Sequence, residues 1–448
     1  MGIYYTIDRN FCKIEIPNDK PEISQRVYNS TNTSREAVKR LHTKILQSVE
    51  NLRGSMVDTL TQLCRIPAIS PHNGGTGEEA KIQKLKSIIE SMNLKGAALK
   101  IEHVLDSDSP TGNRPSLFLE YPGKSSRRLC ILTHIDVVPE GERSLWTIDP
   151  FDPVVKGTRL YGRGVSDNGT CLVSSLYALK ALDDAGIVPE YSVLLAFVAD
   201  EEMGSHYGAE PMVERNIFRP DDLVVVPDSG NDAGDFIEIA EKAVWRLTFT
   251  VTGKQVHAAL PHTGINACRV ANMLAYEVDE ALHKAFPEED AAFEPPFSTF
   301  EPTRRAANVP AVNIVPGRER FEFDCRVLPG VSLDEAFGIV ERIRADVERR
   351  TGAKIELEVD RSDSAPVTSP DAEVCGLLKR SVREVLGVEA KTGGVGGGTV
   401  AVFFRQKGIP AVVWSQECEG VAHQPDEFTE IEYIVNNAKV FSLMMINA

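Results

Sequence analysis

Four strongly apolar runs in this chain each lead into side chains that bind divalent metals. Arg128-LCILT-His134-Ile135-Asp136 ends in a histidine and an aspartate, and Tyr191-SVLLAFVAD-Glu201-Glu202 ends in three consecutive acids. Leu223-VVVP-Asp228 ends in an aspartate, and Ile409-PAVVWSQECEGVA-His423 leads to a histidine. Short β-branched and Leu-rich runs without polar alternation read as strands of a parallel sheet covered on both faces. In open α/β sheets ligands gather at the carboxyl ends of the strands, where these residues fall. One such run means little. Four together point to a metal-dependent hydrolase.

The chain has 448 residues, and single hydrophobic cores stop growing near ~250–300 residues, so two or more domains are expected. A net charge of -16 argues against a nucleic-acid partner, which calls for a basic patch, and reads most simply as solubility. The eight cysteines are scattered with no Cys-x-x-Cys pair, which excludes a zinc knuckle and suits a reducing compartment. No run reaches the ~18 apolar residues of a membrane span, and the first 20 residues lack the apolar core of a signal peptide. A cytoplasmic location is therefore expected, with no membrane partner.

Residues 1–35 read as a polar extension, followed by an amphipathic helix over Ser34–Ile66 that Pro67 stops. From there to about Asp235, strand and helix patterns alternate as in an α/β architecture. Asn168-GTCLVSSLYALKALDDAG places Leu172, Leu176, Leu179 and Leu182 at helical spacing and closes on Gly186. After Ile239 the pattern changes. Ala243-VWRLTFTVTG alternates apolar and polar residues, as in a sheet with one solvated face. A helix (264–286), strands at Ala311–Val315 and Arg320–Val327, a helix (332–350) and a strand (354–359) follow. That βαββαβ order predicts a ferredoxin-like module. The expected organisation is a catalytic α/β domain in two parts (36–238 and 362–448), mostly parallel in its sheet, interrupted by an inserted α+β domain (239–361).

A hydrolytic two-metal site needs a bridging acid, terminal ligands and a base for the trapped water. His134 is a candidate ligand, and Asp136 can hold the ring's other nitrogen. Taken alone, a strand-end His-x-Asp is more often a surface pair. Asp167, in Tyr161-GRGVSDNG, has the place of an ordinary helix cap, yet glycines on both sides call for a close-packed backbone. The adjacent Glu201 and Glu202 point in different directions, so one can bind metal while the other acts as base. Three acids after an apolar strand repel one another unless cations absorb their charge. Asp228 and His423 complete the set. Mixed N/O ligation without thiolate suits Zn²⁺, Co²⁺ or Mn²⁺. Gly393-GVGGGT lacks the lysine of a phosphate-binding loop.

Together, His134-x-Asp136, Gly162-RGVSD-Asn168-Gly169, Asp200-Glu201-Glu202-x-Gly204 and the late His423 resemble the zinc-dependent peptidase/deacylase family. That family includes acetylornithine deacetylase, succinyl-diaminopimelate desuccinylase, aminoacylase, glutamate carboxypeptidase and several dipeptidases. The resemblance spans roughly residues 50–445. It implies two divalent metals bridged by Asp167, with His134 and Asp228 on one and Glu202 and His423 on the other. Glu201 would then be the general base and Asp136 the partner of His134. The inserted domain would be a lid through which a homodimer forms. By the same resemblance His257, in Gly253-KQVHAALP-His262, would reach the partner subunit's active site. Asn313 (in Asn313-IVPG) and Arg326 (in Phe323-DCRV) would face substrate, and Gly397, Gly398 and Thr399 would bind its carboxylate. Asp228 stands where many acylases and carboxypeptidases of the family have Glu, which is closer to the dipeptidases and acetylornithine deacetylase. The implied substrate is a small carboxylate-bearing amide, an N-acyl amino acid first and a dipeptide second. A non-catalytic dimeric binding protein on the same fold is the alternative of another class. The complete set of ligands and base speaks against it.

Overall fold

All four ligand-bearing runs form neighbouring strands of one sheet, and their lack of polar alternation has a direct cause in the packing. In the computed structural model, which describes residues 21–361 and 365–447 (of 21–35 the backbone alone), the larger sheet has eight strands. Their order is Ala98–Leu105, Asn113–Tyr121, Tyr191–Val198, Ser125–His134, Leu223–Asn231, Ala411–Gln416, Phe236–Glu241 and Lys391–Val395. The four central ligand-bearing strands pair in parallel, so their carboxyl ends share one edge. Cys130, Leu132, Leu194, Ala196, Val198, Val224, Val226, Ala411 and Val413 line one face, packed with Met212, Val213 and Phe404 of the helices Ala209–Glu214 and Ala401–Gln406. The intervening residues Ile131, Leu195, Phe197 and Val225 are equally buried. Both faces are covered, which is why the centres of these strands show no polar alternation.

The helix Cys171–Ala185 forms as its leucine spacing requires and ends at Gly186, whose φ of 66° suits a residue without Cβ. Leu172, Leu176, Leu179 and Leu182 are all buried, each contributing about 1.5–3 kcal/mol. The C-terminal helix Ile431–Ile446 packs beside it.

The second sheet is antiparallel, in the order Thr299–Arg305, Arg318–Val327, Ala243–Thr252, Lys354–Arg361. Helices Ala267–Ala285 and Leu333–Thr351 cover one face, where Trp245, Leu247, Phe249, Phe321, Phe323, Val270, Leu274 and Val340 form a core. Arg246, Asp324 and Glu322 stand on the opposite face as ion-pairing residues. This is the expected βαββαβ topology with one correction. Its second strand is Thr299–Arg305, whereas the sequence pattern put it at Ala311–Val315. Of the latter only Ile314–Val315 is strand, in a separate two-strand ribbon with Val256–His257. The true strand is an edge, mostly exposed and carrying Pro302 at a register shift, so it lacks the apolar alternation that marks a half-buried strand.

Near the N-terminus the helix begins at Pro21, inside the stretch read as an extension, and runs to Asn51. Among the described residues, those up to Lys44 group as a unit of their own, and those from Ile45 onward as a second. Residues 1–20 of the expected extension lie outside the described residues. The single helix expected to continue to Ile66 is instead broken at Leu52 and resumes over Arg53–Cys64. Pro67 follows within three residues. Among the described residues no helix is long and apolar enough to cross a membrane.

Candidate metal centre

His134 is the last residue of its strand, and its ring is almost wholly buried. One ring nitrogen, Nδ1, is 3.1 Å from the Asp136 carbonyl and 3.5 Å from its carboxylate. The other, Nε2, is 2.8 Å from Asp167 Oδ1 and 3.2 Å from Asp228 Oδ1. Asp136 also accepts the backbone N–H groups of Glu201 and Glu202, each at 3.1 Å. One carboxylate therefore orients the histidine and the turn that carries the two glutamates.

Asp167 lies where the Gly162–Gly169 segment enters the Cys171 helix. Gly164 has φ of 77°, and a Cβ there would press on Val137; a Cβ at Gly169 would run into the Gly164 carbonyl. That close packing turns the carboxylate toward two histidines at once. Oδ1 faces His134, and Oδ2 lies 3.0 Å from Nε2 of His423. His423 Nε2 is also 3.0 Å from Glu202. His423 sits in the left-handed region at φ 64°, an uncommon place for a residue with a Cβ. Two groups of ligand atoms, His134–Asp167–Glu202 and His134–Glu201–Asp228, each fall within 4.8 Å. The structure thus brings together His134, Asp136, Asp167, Glu201, Glu202, Asp228 and His423.

The donor set suits divalent metal. Burial first, then the charges of Asp228, Glu202 and Asp167, push the Glu201 carboxyl well above the usual range. Burial likewise raises Glu202 and Asp228. Burial acts to lower the His134 pKa, but the charge of Asp228 and its bonds to Asp136, Asp167 and Asp228 overcome it and hold the imidazolium well above its ordinary value. His423 is pushed up to about 10 by its bonds to Asp167 and Glu202. Burial acts to raise the Asp167 carboxyl, but its bonds to the two histidines hold it below the usual carboxylate range. A set of four largely buried acids and two histidines supplies the oxygen and nitrogen donors that a divalent cation takes.

A stability prediction follows. The raised acids, with Glu78, Glu417 and Glu427 each pushed to about 7 by burial, hold protons in the folded state that the unfolded chain releases near pH 4.5. Their stabilisation is complete below that pH and is lost as pH rises toward 7, and the raised histidines act in the same direction up to higher pH. The metal-stripped chain is expected to melt lower at pH 8 than at pH 5, by on the order of several degrees. Saturating Zn²⁺ should reduce the fall, because metal requires the deprotonated ligands. Thermal melts at four pH values check this, and a stripped chain that grows more stable toward pH 8 would contradict it.

The residues expected at the substrate side group elsewhere. His257 belongs to the two-strand ribbon, and Asn313 immediately precedes its second strand. There the exposed His257 accepts the Ala259 N–H at Nδ1 (3.0 Å), and the Asn313 carbonyl accepts the Ala258 N–H (2.8 Å). Arg326 pairs with Asp324 at 2.6 Å and donates to the Gly396 carbonyl at 3.0 Å, which joins the second sheet to the glycine loop. In that loop Thr399 donates to Glu241 at 2.7 Å, and a Cβ at Gly397 would meet nothing within 4 Å. Asn168, in the same glycine-rich motif as Asp167, supports the centre from the side, a role that its place in the sequence does not signal. Its amide donates to Asp228 at 2.5 Å and to the Pro227 carbonyl at 2.8 Å.

The sequence pattern of peptidase family M20/M25/M40 matches residues 130–447. An uncharacterised metallohydrolase of Methanocaldococcus jannaschii is 38% identical over 85% of this chain and 96% of its own length. A succinyl-diaminopimelate desuccinylase of Parvibaculum lavamentivorans is 27% identical over 87% of this chain and 94% of its own. Among solved structures, the di-peptidase Dug1p of Saccharomyces cerevisiae superposes with a TM-score of 0.68 at 16% identity, covering 90% of this chain and 98% of that one. An M20 family metallo-carboxypeptidase of Sulfolobus solfataricus superposes at 0.67 and 20% identity, covering 87% and 98%.

Proposed function

This chain belongs to peptidase family M20/M25/M40, and from that premise we propose that it hydrolyses the amide bond of a small carboxylate-bearing substrate, foremost an N-acyl amino acid. The observation that carries the reading is the carboxylate of Asp167, whose two oxygens face two histidines within a buried, acid-rich cluster. Two divalent ions (zinc first, cobalt or manganese as alternatives) would be held by His134 and Asp228 and by Glu202 and His423, with Asp167 between them, and when bound would supply an activated water and polarise the carbonyl.

Glu201 takes the proton of the attacking water and delivers it to the leaving nitrogen. Burial and three neighbouring acids raise its proton affinity, the direction required of a group that must hold the proton before returning it. Asp136 keeps His134 in the tautomer that leaves Nε2 available. Arg326 and the Gly397, Gly398 and Thr399 loop hold the substrate carboxylate by charge-assisted hydrogen bonds. The module of residues 239–361 acts as a lid and carries a homodimer contact, from which His257 enters the partner subunit's site to stabilise the oxyanion. The chain's scattered cysteines, without a Cys-x-x-Cys pair, suit work in the cytoplasm. Asp at position 228 supports a second reading, a dipeptidase.

The test is hydrolysis of a panel by metal-reconstituted protein, with and without chelator: N-acetylornithine, N-succinyl-diaminopimelate, other N-acetylated amino acids and unblocked dipeptides. Chelator-sensitive cleavage of acylated substrates alone is expected. Cleavage of dipeptides alone moves the assignment to a dipeptidase. No cleavage by protein carrying two metals would favour the non-catalytic binding protein.

A further inference from the structure

Away from the ligands themselves, Arg163 and Glu427 form a buried charge pair beside the centre. Their side chains are 2% and 0% exposed, and Arg163 Nη1 meets Glu427 Oε2 at 2.6 Å. Neither pairs with the side chain of a ligand. Instead each holds backbone. Glu427 Oε1 accepts the N–H groups of Ser166 (2.9 Å) and Asp167 (3.3 Å), and the Glu427 carbonyl accepts the Gly162 N–H at 2.9 Å. Arg163 Nη2 donates to the carbonyls of His423 (3.3 Å) and Pro139 (3.4 Å), and the guanidinium lies 5.2 Å from the Trp146 ring. The strands Arg159–Tyr161 and Phe428–Glu430 pair antiparallel beside it, so the two segments cannot slide independently.

We propose that Arg163 and Glu427 are positioning residues that act as one clamp, fixing the Asp167 segment against the His423 loop and thereby setting the affinity of the metal position formed by Asp167, Glu202 and His423. This rests on the two-metal reading above. The clamp reaches Asp167 through its own N–H and His423 through its own carbonyl. The other metal position takes His134 from a strand end held by Asp136, and Asp228 from a strand held by Asn168, the residue after Asp167. It shares Asp167 with the clamp and is otherwise one step removed from it, whereas the first position takes both Asp167 and His423 from segments the clamp holds directly. The effect of breaking the clamp is therefore asymmetric.

The experiment is calorimetric titration of the metal-stripped full chain with Zn²⁺, paired with Co²⁺ absorption spectra, on wild type, Glu427→Gln and Arg163→Lys. Glutamine retains an oxygen for the Ser166 and Asp167 amides but loses the charge. Lysine retains charge but cannot span Glu427 and two carbonyls. Wild type is expected to take up two equivalents. Both variants should bind one equivalent as wild type does and the other about 10–100-fold more weakly, the size of effect seen when a ligand's supporting partner is removed. The spectrum of the first cobalt bound should be preserved. Unchanged affinity for both equivalents, or an equal loss at both, would overturn the clamp. If wild type itself takes up fewer than two equivalents, the two-metal reading fails, and the clamp with it. Should Glu427→Gln not fold, as judged by circular dichroism, Arg163→Lys decides alone.

Discussion

A Glu201→Gln chain is expected to take up metal as wild type does and to lose about 10²–10⁴-fold in kcat, the contribution of a positioned general base. The substitution preserves volume and removes the proton acceptor. It also removes one of the mutually repelling acids, since Asp228, Glu202 and Asp167 all press on the Glu201 carboxyl. Metal content by mass spectrometry, read beside kcat on the preferred substrate, separates the two roles the geometry allows, because Glu201 also lies within ligand distance of His134 and Asp228. Turnover lost with metal retained assigns the base. Full activity in the variant would remove Glu201 from the reaction, and loss of one equivalent of metal would make it a ligand.

The second large effect is on stability. Arg114 is fully buried among three acids. Its Nε bonds Glu78 at 2.7 Å, Nη2 lies 3.1 Å from Asp200 and also pairs with Glu78, and Nη1 lies 3.4 Å from Asp106 and 3.3 Å from the Ser70 hydroxyl. Asp200 precedes Glu201 and Glu202 and is held at φ 66°. Arg114→Met leaves three carboxylates facing one another without a counter-charge and should cost about 3–5 kcal/mol, a large share of the ~5–15 kcal/mol that holds a typical domain folded. Arg114→Lys should recover little of it, since one ammonium cannot serve three separate acids. Urea unfolding of the metal-stripped proteins measures the difference. A loss below about 1 kcal/mol would show that the acids are neutralised by other means.

Several of the candidate ligands were readable from sequence because they stand at or just beyond the carboxyl ends of strands whose own pattern is unmistakable. His134, Asp228 and the Asp200–Glu202 turn follow runs so apolar that only a doubly covered sheet explains them, and such a sheet puts its ligands on one edge. The charges that support them were not readable. Arg163 and Glu427 are 264 residues apart, and Arg114 finds Glu78 from a different part of the chain. No local spacing encodes a partner that distant, and a buried acid looks like a surface acid until the fold is known. The Thr299–Arg305 edge strand escaped for a related reason: with most of its side chains in solvent, it carries little hydrophobic signal. The break at Leu52 is equally silent, because the helical pattern continues on both sides of it.

The strand Ala411–Gln416 enters the large sheet between Leu223–Asn231 and Phe236–Glu241, which are made nearly two hundred residues earlier. A chain still emerging from the ribosome therefore holds two apolar strand edges apart, each awaiting the same late neighbour. Until it arrives, those edges are exposed to pairing with other chains. The segment that seals them also delivers His423. A prematurely ended chain would thus be both incompletely closed and unable to assemble its full ligand set, so a partial product cannot persist as a weakly active enzyme.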